Sequence, residues 1–382
     1  MKASALRIGL VVPRFAPFHG GVETYTMQAA AALATRDVDV TVVTQVPRAS
    51  ELPRVEHRGG YGVERHVLPL GDIFDAPSPG AIRAASRRGR FDVVWVHSYH
   101  TPLAWLVAEV VKVPVIFTPH YHGTGHSRIR SALHRAYRPA GGRLMATSDK
   151  IIVDTEAEAN LVLRDFSDVV SEDKIVIIPP AVADPAAGQP YPSEQPIVLT
   201  VARQERYKRT DLLIRAIFDV HNRGVPARLV VVGHGTAVDA YRELAARLGA
   251  SDIVTFTGPV DQETLGRWWT SASVYATASE QEAWGIGLAE ALASGLPVAA
   301  SAIPAHREVI RGAGSDAEFR LCEAGTSDAE ASTRYADAII DLLRFGQARP
   351  QRASLCDLPN TAEVGDRLYD QFAETARIAN RR

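Results

Sequence analysis

Cysteine is all but missing: Cys322 and Cys356 are the only two in 382 residues, in unrelated contexts and without Cys-x-x-Cys spacing. That excludes a disulfide scaffold and a cysteine zinc site, and leaves two free thiols in a reducing compartment as the expected state. An excess of either charge is missing too. With 42 Lys and Arg against 44 Asp and Glu, the formal net charge is −2, so nothing global points to nucleic acid or to an acidic ligand. Long apolar runs are also absent. Ile8-Gly9-Leu10-Val11-Val12 is too short for a signal-peptide core and reads as a first buried strand. Pro102–Phe117 is broken by Glu109 and Lys112, so no membrane span is expected and a cytoplasmic protein is.

What is there is organised by alternation. Short β-branched runs at Arg7–Val12, Asp39–Thr44, Val93–His97, Val115–Thr118, Lys150–Val153 and Ile175–Ile178 are separated by Ala- and Leu-rich segments such as Val22–Thr35 and Thr101–Val111. Continuous apolar runs of this kind predict parallel strands covered on both faces by helices. Between Pro179 and Pro196 six prolines interrupt either kind of element. The alternation then restarts with strands at Ile197–Val201, Arg228–Val232, Ile253–Thr257, Val274–Thr277 and Val298–Ser301. Helices are predicted at Asp211–Asn222, Ala237–Leu248 and Gly285–Ser294, with a terminal helix at Asn360–Ile378. A chain of this length exceeds one core. The expected domains are 1–180, a proline-rich linker 181–196, 197–358, and a C-terminal helix within 359–382 that packs back on the first domain.

Three motifs invite chemistry that their positions do not support. Asp37-Val38-Asp39 has the form of a metal-diphosphate tripeptide, but it precedes a strand, whereas ligands in such sheets sit past the strands' carboxyl ends. A solvated turn is the reading there. Gly233-His234-Gly235 follows a strand and opens a helix, yet the third glycine position is Val238, so no dinucleotide site is read; a tight turn near a phosphate is. His97, His100, His120 and His122 lack metal-ligand spacing and are expected to line a cleft mouth.

Two segments carry a positive reading. In Glu282-Ala283-Trp284-Gly285-Ile286-Gly287-Leu288-Ala289-Glu290 a helix opens near Gly285, with Glu282 before it and Glu290 inside it. Gly285 and Glu290 are separated by roughly 7–8 Å of axial rise. The amides of Gly285, Ile286 and Gly287 fall between two carboxylates, at the positive end of the helix dipole. A nucleotide sugar laid along that start would meet Glu282 with its sugar hydroxyls, the amides with its diphosphate and Glu290 with its ribose. An acidic loop ahead of a buried helix accounts for the same residues taken alone. The second segment, Arg203-Gln204-Glu205-Arg206-Tyr207-Lys208-Arg209, follows a strand. Lysine is scarce in this chain, only Lys2, Lys112, Lys150, Lys174 and Lys208. Arg203 and Lys208 are therefore read as cations for a leaving diphosphate, whose charge grows as the glycosidic bond breaks. In the first half, Gly20-Gly21-Val22-Glu23 opens a helix and offers amides to an anion or an acceptor; a plain tight turn explains the glycines equally well.

Taken in order from Arg7 to about Gly312, these pieces resemble glycosyltransferase family 4, the retaining enzymes of GT-B fold. The resemblance includes Gly20-Gly21-Val22-Glu23, Thr118-Pro119-His120, Arg203 with Lys208, Gly233-His234-Gly235 and Phe256-Thr257-Gly258. It continues through Glu282 to Glu290, Gly295-Leu296-Pro297-Val298 and Ile303-Pro304-Ala305-His306-Arg307-Glu308. It implies two facing Rossmann-like domains with an interdomain cleft, a nucleoside-diphosphate sugar as co-substrate, and neither cofactor nor catalytic metal. His120 would contact the transferred sugar, Arg203 and Lys208 the diphosphate, Glu282 the sugar hydroxyls and Glu290 the ribose. Gly20, Gly21, Gly233, Gly258, Trp284, Gly285, Ile286 and Gly287 would complete the donor site. The sequence departs from the family pattern at Ala202 and Arg209, where glycine is usual, at Pro179–Ala183, which lacks the hinge Asn-Gly and Asp, and at Trp284, where Phe is more frequent.

The implied reaction moves a hexose from a GDP- or UDP-sugar to a hydroxyl acceptor, in cell-surface polysaccharide or glycolipid synthesis. Glycosylation of a small natural product is the alternative acceptor chemistry, and a nucleotide-sugar epimerase or regulatory binder is the non-transferase alternative. Arg83, Arg87, Arg88 and Arg90, and the basic stretch 126–150, are either solvated helix faces or a surface for an anionic membrane with a lipid-linked acceptor.

Overall fold

A computed structural model of the chain describes residues 5–18, 20–71, 73, 76–123, 128–182, 188–314, 317–345 and 357–379. It divides into two compact units, Met1–Ala181 with Pro359–Arg382, and Val182–Leu358. His19, Ala183, Pro185 and Cys356 lie outside the described residues, as do the side chains of Arg128, Arg130 and Arg135.

The first unit runs β1 (Leu6–Val11), α1 (Gly21–Ala34), β2 (Val38–Val46), β3 (Val55–Arg58), β4 (Tyr61–Val67), α2 (Pro79–Ala85) and β5 (Val93–His97). It continues with α3 (Pro102–Val110), β6 (Val115–Thr118), α4 (Arg128–Thr147), β7 (Lys150–Val153), α5 (Glu156–Phe166) and β8 (Ile175–Ile177). The sheet order is β3-β4-β2-β1-β5-β6-β7-β8. Every pairing is parallel, as expected, except β3 with β4 at the edge, a pair not among the strands expected from the sequence. The exception is a hairpin: Gly59 and Gly60 both take positive φ, 53° and 90°, as a two-residue turn between right-twisted strands needs. β5 is buried at every residue, because α1 covers one face of the sheet and α2, α3 and α5 the other. Asp37 and Asp39 sit at the amino end of β2, both exposed, in keeping with a solvated turn.

The second unit runs β9 (Ile197–Val201), α6 (Thr210–Asn222), β10 (Arg228–Val232), α7 (Val238–Arg247), β11 (Val254–Gly258), α8 (Gln262–Ser271) and β12 (Val274–Thr277). Then follow α9 (Ile286–Ala293), β13 (Val298–Ser301), α10 (Pro304–Gly312), β14 (Phe319–Cys322) and α11 (Asp328–Phe345). Its order β11-β10-β9-β12-β13-β14 is that of a dinucleotide-binding sheet and is parallel throughout. One apolar cluster joins α6, α7 and α11 to one face, and a second joins α8, α9 and α10 to the other. Residues 188–192, expected as linker, belong to this unit and lie along α8. The Tyr191 amide donates to Ser271 Oγ at 2.7 Å, and the Arg267 guanidinium stacks 3.9 Å from the Tyr191 ring centroid.

The chain then returns to the first unit as α12 (Thr361–Ala379). Asn360 and Glu363 form a reciprocal capping box: Asn360 Oδ1 accepts from the amides of Ala362 and Glu363, while Glu363 Oε2 accepts from the Asn360 amide. Val364, Leu368, Phe372 and Ala376 join the α1 side of the core, with Phe372 edge-on to Trp95 at 5.2 Å. Among the described residues no helix is long and apolar enough to cross a membrane. Of the two basic stretches, Arg90 pairs with Glu64, Arg143 with Glu109, Arg138 with the Asp165 carbonyl and Lys150 with the Asp173 carbonyl. Arg83, Arg87 and Arg88 are exposed.

Candidate active site

In the second unit the strand order reverses between β9 and β12, so the loops leaving their carboxyl ends diverge and frame a crevice. Those two loops are 202–209 and 278–285, which hold Arg203, Lys208 and Glu282. Lys208 Nζ donates to Glu282 Oε1, with the two side chains only 14 % and 16 % exposed. Burial is the largest influence on Glu282 and disfavours its ionised carboxyl, but the Lys208 charge and hydrogen bond, with His306 and the Ser279 hydroxyl, together outweigh it and hold the group below the ordinary glutamate range. Arg203 is exposed, with Nη2 3.4 Å from Tyr207 Oη, and Lys208 Nζ lies 5.2 Å from the centroid of the same tyrosine ring. Both expected diphosphate cations therefore lie against Tyr207.

A residue that the sequence did not single out braces the first loop. Gln204 is fully buried; its Nε2 donates to the carbonyls of Ala202 and Val232, and its Oε1 accepts from Thr210 Oγ1 at 2.8 Å. This bracket also explains the Gly-His-Gly turn. A Cβ on Gly233 would lie 2.0 Å from the Ala202 carbonyl oxygen, one on Gly235 2.3 Å from the Gln204 carbonyl oxygen, and Gly233 holds φ 116°. Gly258, at φ 71°, accepts from the Gly233 amide and has open space where a side chain would be.

Gly285 is the N-cap of α9 at φ 110°, ψ 59°, and no side chain caps the helix. The amides of Ile286 and Gly287 thus open a helix start beside Glu282. The glycines have an internal cause that the sequence did not reveal. A Cβ on Gly287 would sit 2.6 Å from Tyr275 Oη and 2.8 Å from the Val201 carbonyl oxygen, and one on Gly285 3.1 Å from the His306 ring. Gly287→Ala is accordingly expected to destabilise the fold by about 2 kcal/mol, as overpacking against backbone does. Gly21→Ala, which would meet nothing within 4 Å, serves as the silent control in urea titrations. Equal midpoints for the two variants would remove the packing argument.

Trp284, expected at the donor, is 7 % exposed and packs into the cluster beneath α8, α9 and α10, so its ring seats the loop from below. Beneath the same loop His306 is buried, its Nδ1 3.0 Å from the Ser301 carbonyl oxygen, while its Nε2 has no hydrogen-bond partner among the described residues. One turn further along α9 the Glu290 carboxyl lacks any hydrogen-bond partner among the described residues, and burial alone pushes it up to about 7.

In the first unit His120 follows β6 in the left-handed region, φ 48°. Its Nδ1 lies 3.2 Å from Asp154 Oδ2 at the end of β7, and its Nε2 3.4 Å from His97 Nδ1. The carboxylate assigns the proton to His120 Nδ1; His97 then donates through Nδ1, and its own buried Nε2 has no partner among the described residues. Burial drives the His97 imidazolium well down, so the inner ring stays neutral. Glu158, in the first turn of α5, accepts from the amides of Tyr121 and Asp154 and so fixes the two loops on which His120 depends. Gly20 caps α1, but Glu23 folds back over it: Glu23 Oε2 lies 2.2 Å from where a Gly20 Cβ would be, and Arg14 pairs with that carboxylate at 2.8 Å. An internal carboxylate thus sits at the helix start that was read as open to an external anion. Gly21 faces open space. Among the described residues no three His, Cys, Asp or Glu converge as metal ligands.

Comparison with known proteins agrees with this geometry. Residues 19–184 match Glycosyltransferase Family 4 and residues 186–349 match Glycosyl transferases group 1. A D-inositol 3-phosphate glycosyltransferase of Xylanimonas cellulosilytica is 28 % identical over 333 residues, 76 % of this chain and 77 % of that protein. Among solved structures, the sucrose-phosphate synthase of Thermosynechococcus elongatus superposes with a TM-score of 0.72 at 20 % identity, covering 98 % of both chains. HepE of Anabaena, in complex with UDP and glucose, does so with a TM-score of 0.69 at 14 % identity, covering 97 % of this chain and all of that one. The chain therefore belongs to the group 1, family 4 glycosyltransferases and has their GT-B-like fold of two α/β units.

Proposed function

We propose that the enzyme transfers a hexose from a UDP- or GDP-sugar to a hydroxyl acceptor with retention, binding the donor on the second unit. The observation that carries this reading is the buried Lys208–Glu282 pair beside the uncapped start of α9, with the unpartnered Glu290 one turn on. A sugar diphosphate needs a cation, free amides and two carboxylate acceptors in that order. Lys208 and Arg203, with the α9 amides, stabilise the diphosphate as it leaves an oxocarbenium-like transition state. Glu282 accepts from sugar hydroxyls, Glu290 accepts from the ribose diol, and no catalytic metal is invoked. The first unit is assigned the acceptor; there the His120 ring is held between Asp154 and His97. The naming of UDP in the HepE complex favours the uridine donor. The inositol phosphate transferase makes a phosphorylated polyol one acceptor to try, beside lipid-linked and polysaccharide hydroxyls. Internal pairing of Arg90, Arg138, Arg143 and Lys150 favours solvated or self-paired helix faces over a membrane surface.

The test is a thermal-shift panel of UDP-, GDP-, ADP- and dTDP-sugars, followed by glycoside formation with D-inositol 3-phosphate and simple alcohols. One donor class at 100 times its Kd is expected to stabilise the fold by about 2.7 kcal/mol, and the product anomer should keep the donor's configuration. Silence across the panel would sink the reading.

A further inference from the structure

Arg209 stands where the family pattern has glycine, and its backbone keeps the glycine-like conformation, φ 50° and ψ 38°, as the N-cap residue of α6. An L-residue in the left-handed region is strained, so something other than backbone preference holds it there. Its guanidinium supplies that. Nε and Nη2 each lie 3.1 Å from an Asp211 carboxylate oxygen, Nη1 lies 3.0 Å from Glu280 Oε1, and Nη2 lies 2.5 Å from Asp328 Oδ1. The three acids belong to three separate segments: the first turn of α6, the loop that carries Glu282, and the first turn of α11.

Resting on the transferase reading above, we propose that Arg209 is a positioning residue for the donor site. It clamps the Lys208 loop to the Glu282 loop and so fixes the separation across which the sugar diphosphate is gripped. Every nitrogen of the guanidinium is already engaged, so Arg209 acts through its neighbours and leaves the diphosphate to Lys208 and Arg203. The clamp runs parallel to a backbone tie, the Glu280 amide donating to the Tyr207 carbonyl at 2.8 Å. Without the cation, Asp211, Glu280 and Asp328 converge with like charge, and repulsion pushes the Glu280 segment away from Tyr207 and Lys208. Planarity matters as well, because a lysine ammonium has one nitrogen and lacks the fork that here bonds Asp211 twice while reaching Glu280 and Asp328.

The experiment compares wild type with Arg209→Gly, Arg209→Lys and the double variant Arg209→Gly with Glu280→Gln. Each is read by UDP and GDP titration calorimetry, steady-state donor kinetics and melting temperature. Glycine relieves the backbone strain, so Arg209→Gly is expected to fold. Its Kd for the preferred diphosphate and its donor KM should rise about tenfold, with kcat changed less than threefold. Arg209→Lys should fall between, and removing the Glu280 charge should restore several-fold of the lost affinity. A lowered melting temperature with wild-type Kd and KM would make Arg209 merely structural and overturn the inference. So would loss confined to kcat, which would mean contact with the reacting atoms. If wild type binds UDP or GDP and Arg209→Gly binds it equally, this inference alone falls; if wild type binds neither, the transferase reading falls and takes this one with it.

Discussion

Lys208→Ala lowers kcat/KM for the donor about 10³-fold and destabilises the fold at the same time. The first effect follows from where the charge develops. A diphosphate gains negative charge as the sugar departs, and a positioned donor in a water-poor site stabilises that state by more than it stabilises the bound ground state; removing one such donor costs about 10²–10³ in rate. Lys208 also neutralises Glu282, so the loss extends to the group that holds the sugar. The second effect follows from burial. With the ammonium gone, the Glu282 carboxylate, 16 % exposed, keeps the Ser279 hydroxyl but loses its charged hydrogen-bond donor, and a buried carboxylate left without that partner costs about 1–3 kcal/mol. The two effects are separable. Lys208→Ala combined with Glu282→Gln should recover most of the stability, because no unpaired charge is then left buried, yet remain as slow as the single variant. Denaturant midpoints and initial rates on the four corners of that cycle check both statements. A Lys208→Ala enzyme within tenfold of wild type would remove the lysine from the mechanism.

The strands that build the crevice were legible because they are fully covered and read as unbroken apolar runs: Val93–His97 and Val115–Thr118 are found at those residues. What escaped was whatever one-sided burial or tertiary demand determines. β3 is the charged, mostly exposed tetrapeptide Val55–Arg58, with no apolar run to announce it; its one local signal is the Gly59-Gly60 turn. β14, at the opposite edge of the other sheet, begins with an exposed Phe319 and is equally faint. At the site, the order of Glu282, the α9 start and Glu290 was readable because helix geometry alone spaces them. The Lys208–Glu282 pair joins residues 74 positions apart, which no local pattern encodes. Gln204 and Asp154 were invisible for the same reason: Gln204 ties its own loop to Val232 on β10, and Asp154 reaches His120 from the end of β7. The glycines were found but for an incomplete reason, since Gly233, Gly235 and Gly287 are required by backbone oxygens inside the unit before any ligand arrives.

Glu290 makes the fold's stability depend on pH in a direction opposite to that of most carboxylates. Burial lifts its folded-state pKa from 4.5 to about 7, whereas the unfolded chain keeps the ordinary value. The folded protein therefore holds this proton more tightly than the unfolded one. Below the unfolded pKa both states are protonated and nothing is lost; as pH rises from about 4.5 to about 7 the unfolded state ionises first, and stability falls by about 3 kcal/mol before levelling. Glu290→Gln removes the ionisation while keeping the shape. Its stability should match wild type near pH 4.5 and exceed it by about 3 kcal/mol at pH 8, as read by chemical denaturation across that range. Taking the difference between the two proteins cancels the other buried groups, His97 and His306 among them, which titrate in both. Function moves the other way. A ribose diol brings two O–H donors to an acceptor that has none among the described residues, and each such bond is about 1 kcal/mol stronger to a carboxylate than to the neutral amide oxygen that replaces it. UDP affinity of the variant should thus drop about 10- to 100-fold at pH 8, with kcat nearly unchanged. Donor binding must also pull the carboxyl back towards its ionised form. Calorimetry at pH 6.5 in two buffers of different ionisation enthalpy should then register proton release on UDP binding to wild type and none on binding to Glu290→Gln. Identical proton counts for the two proteins, together with identical affinities, would place the ribose somewhere other than Glu290.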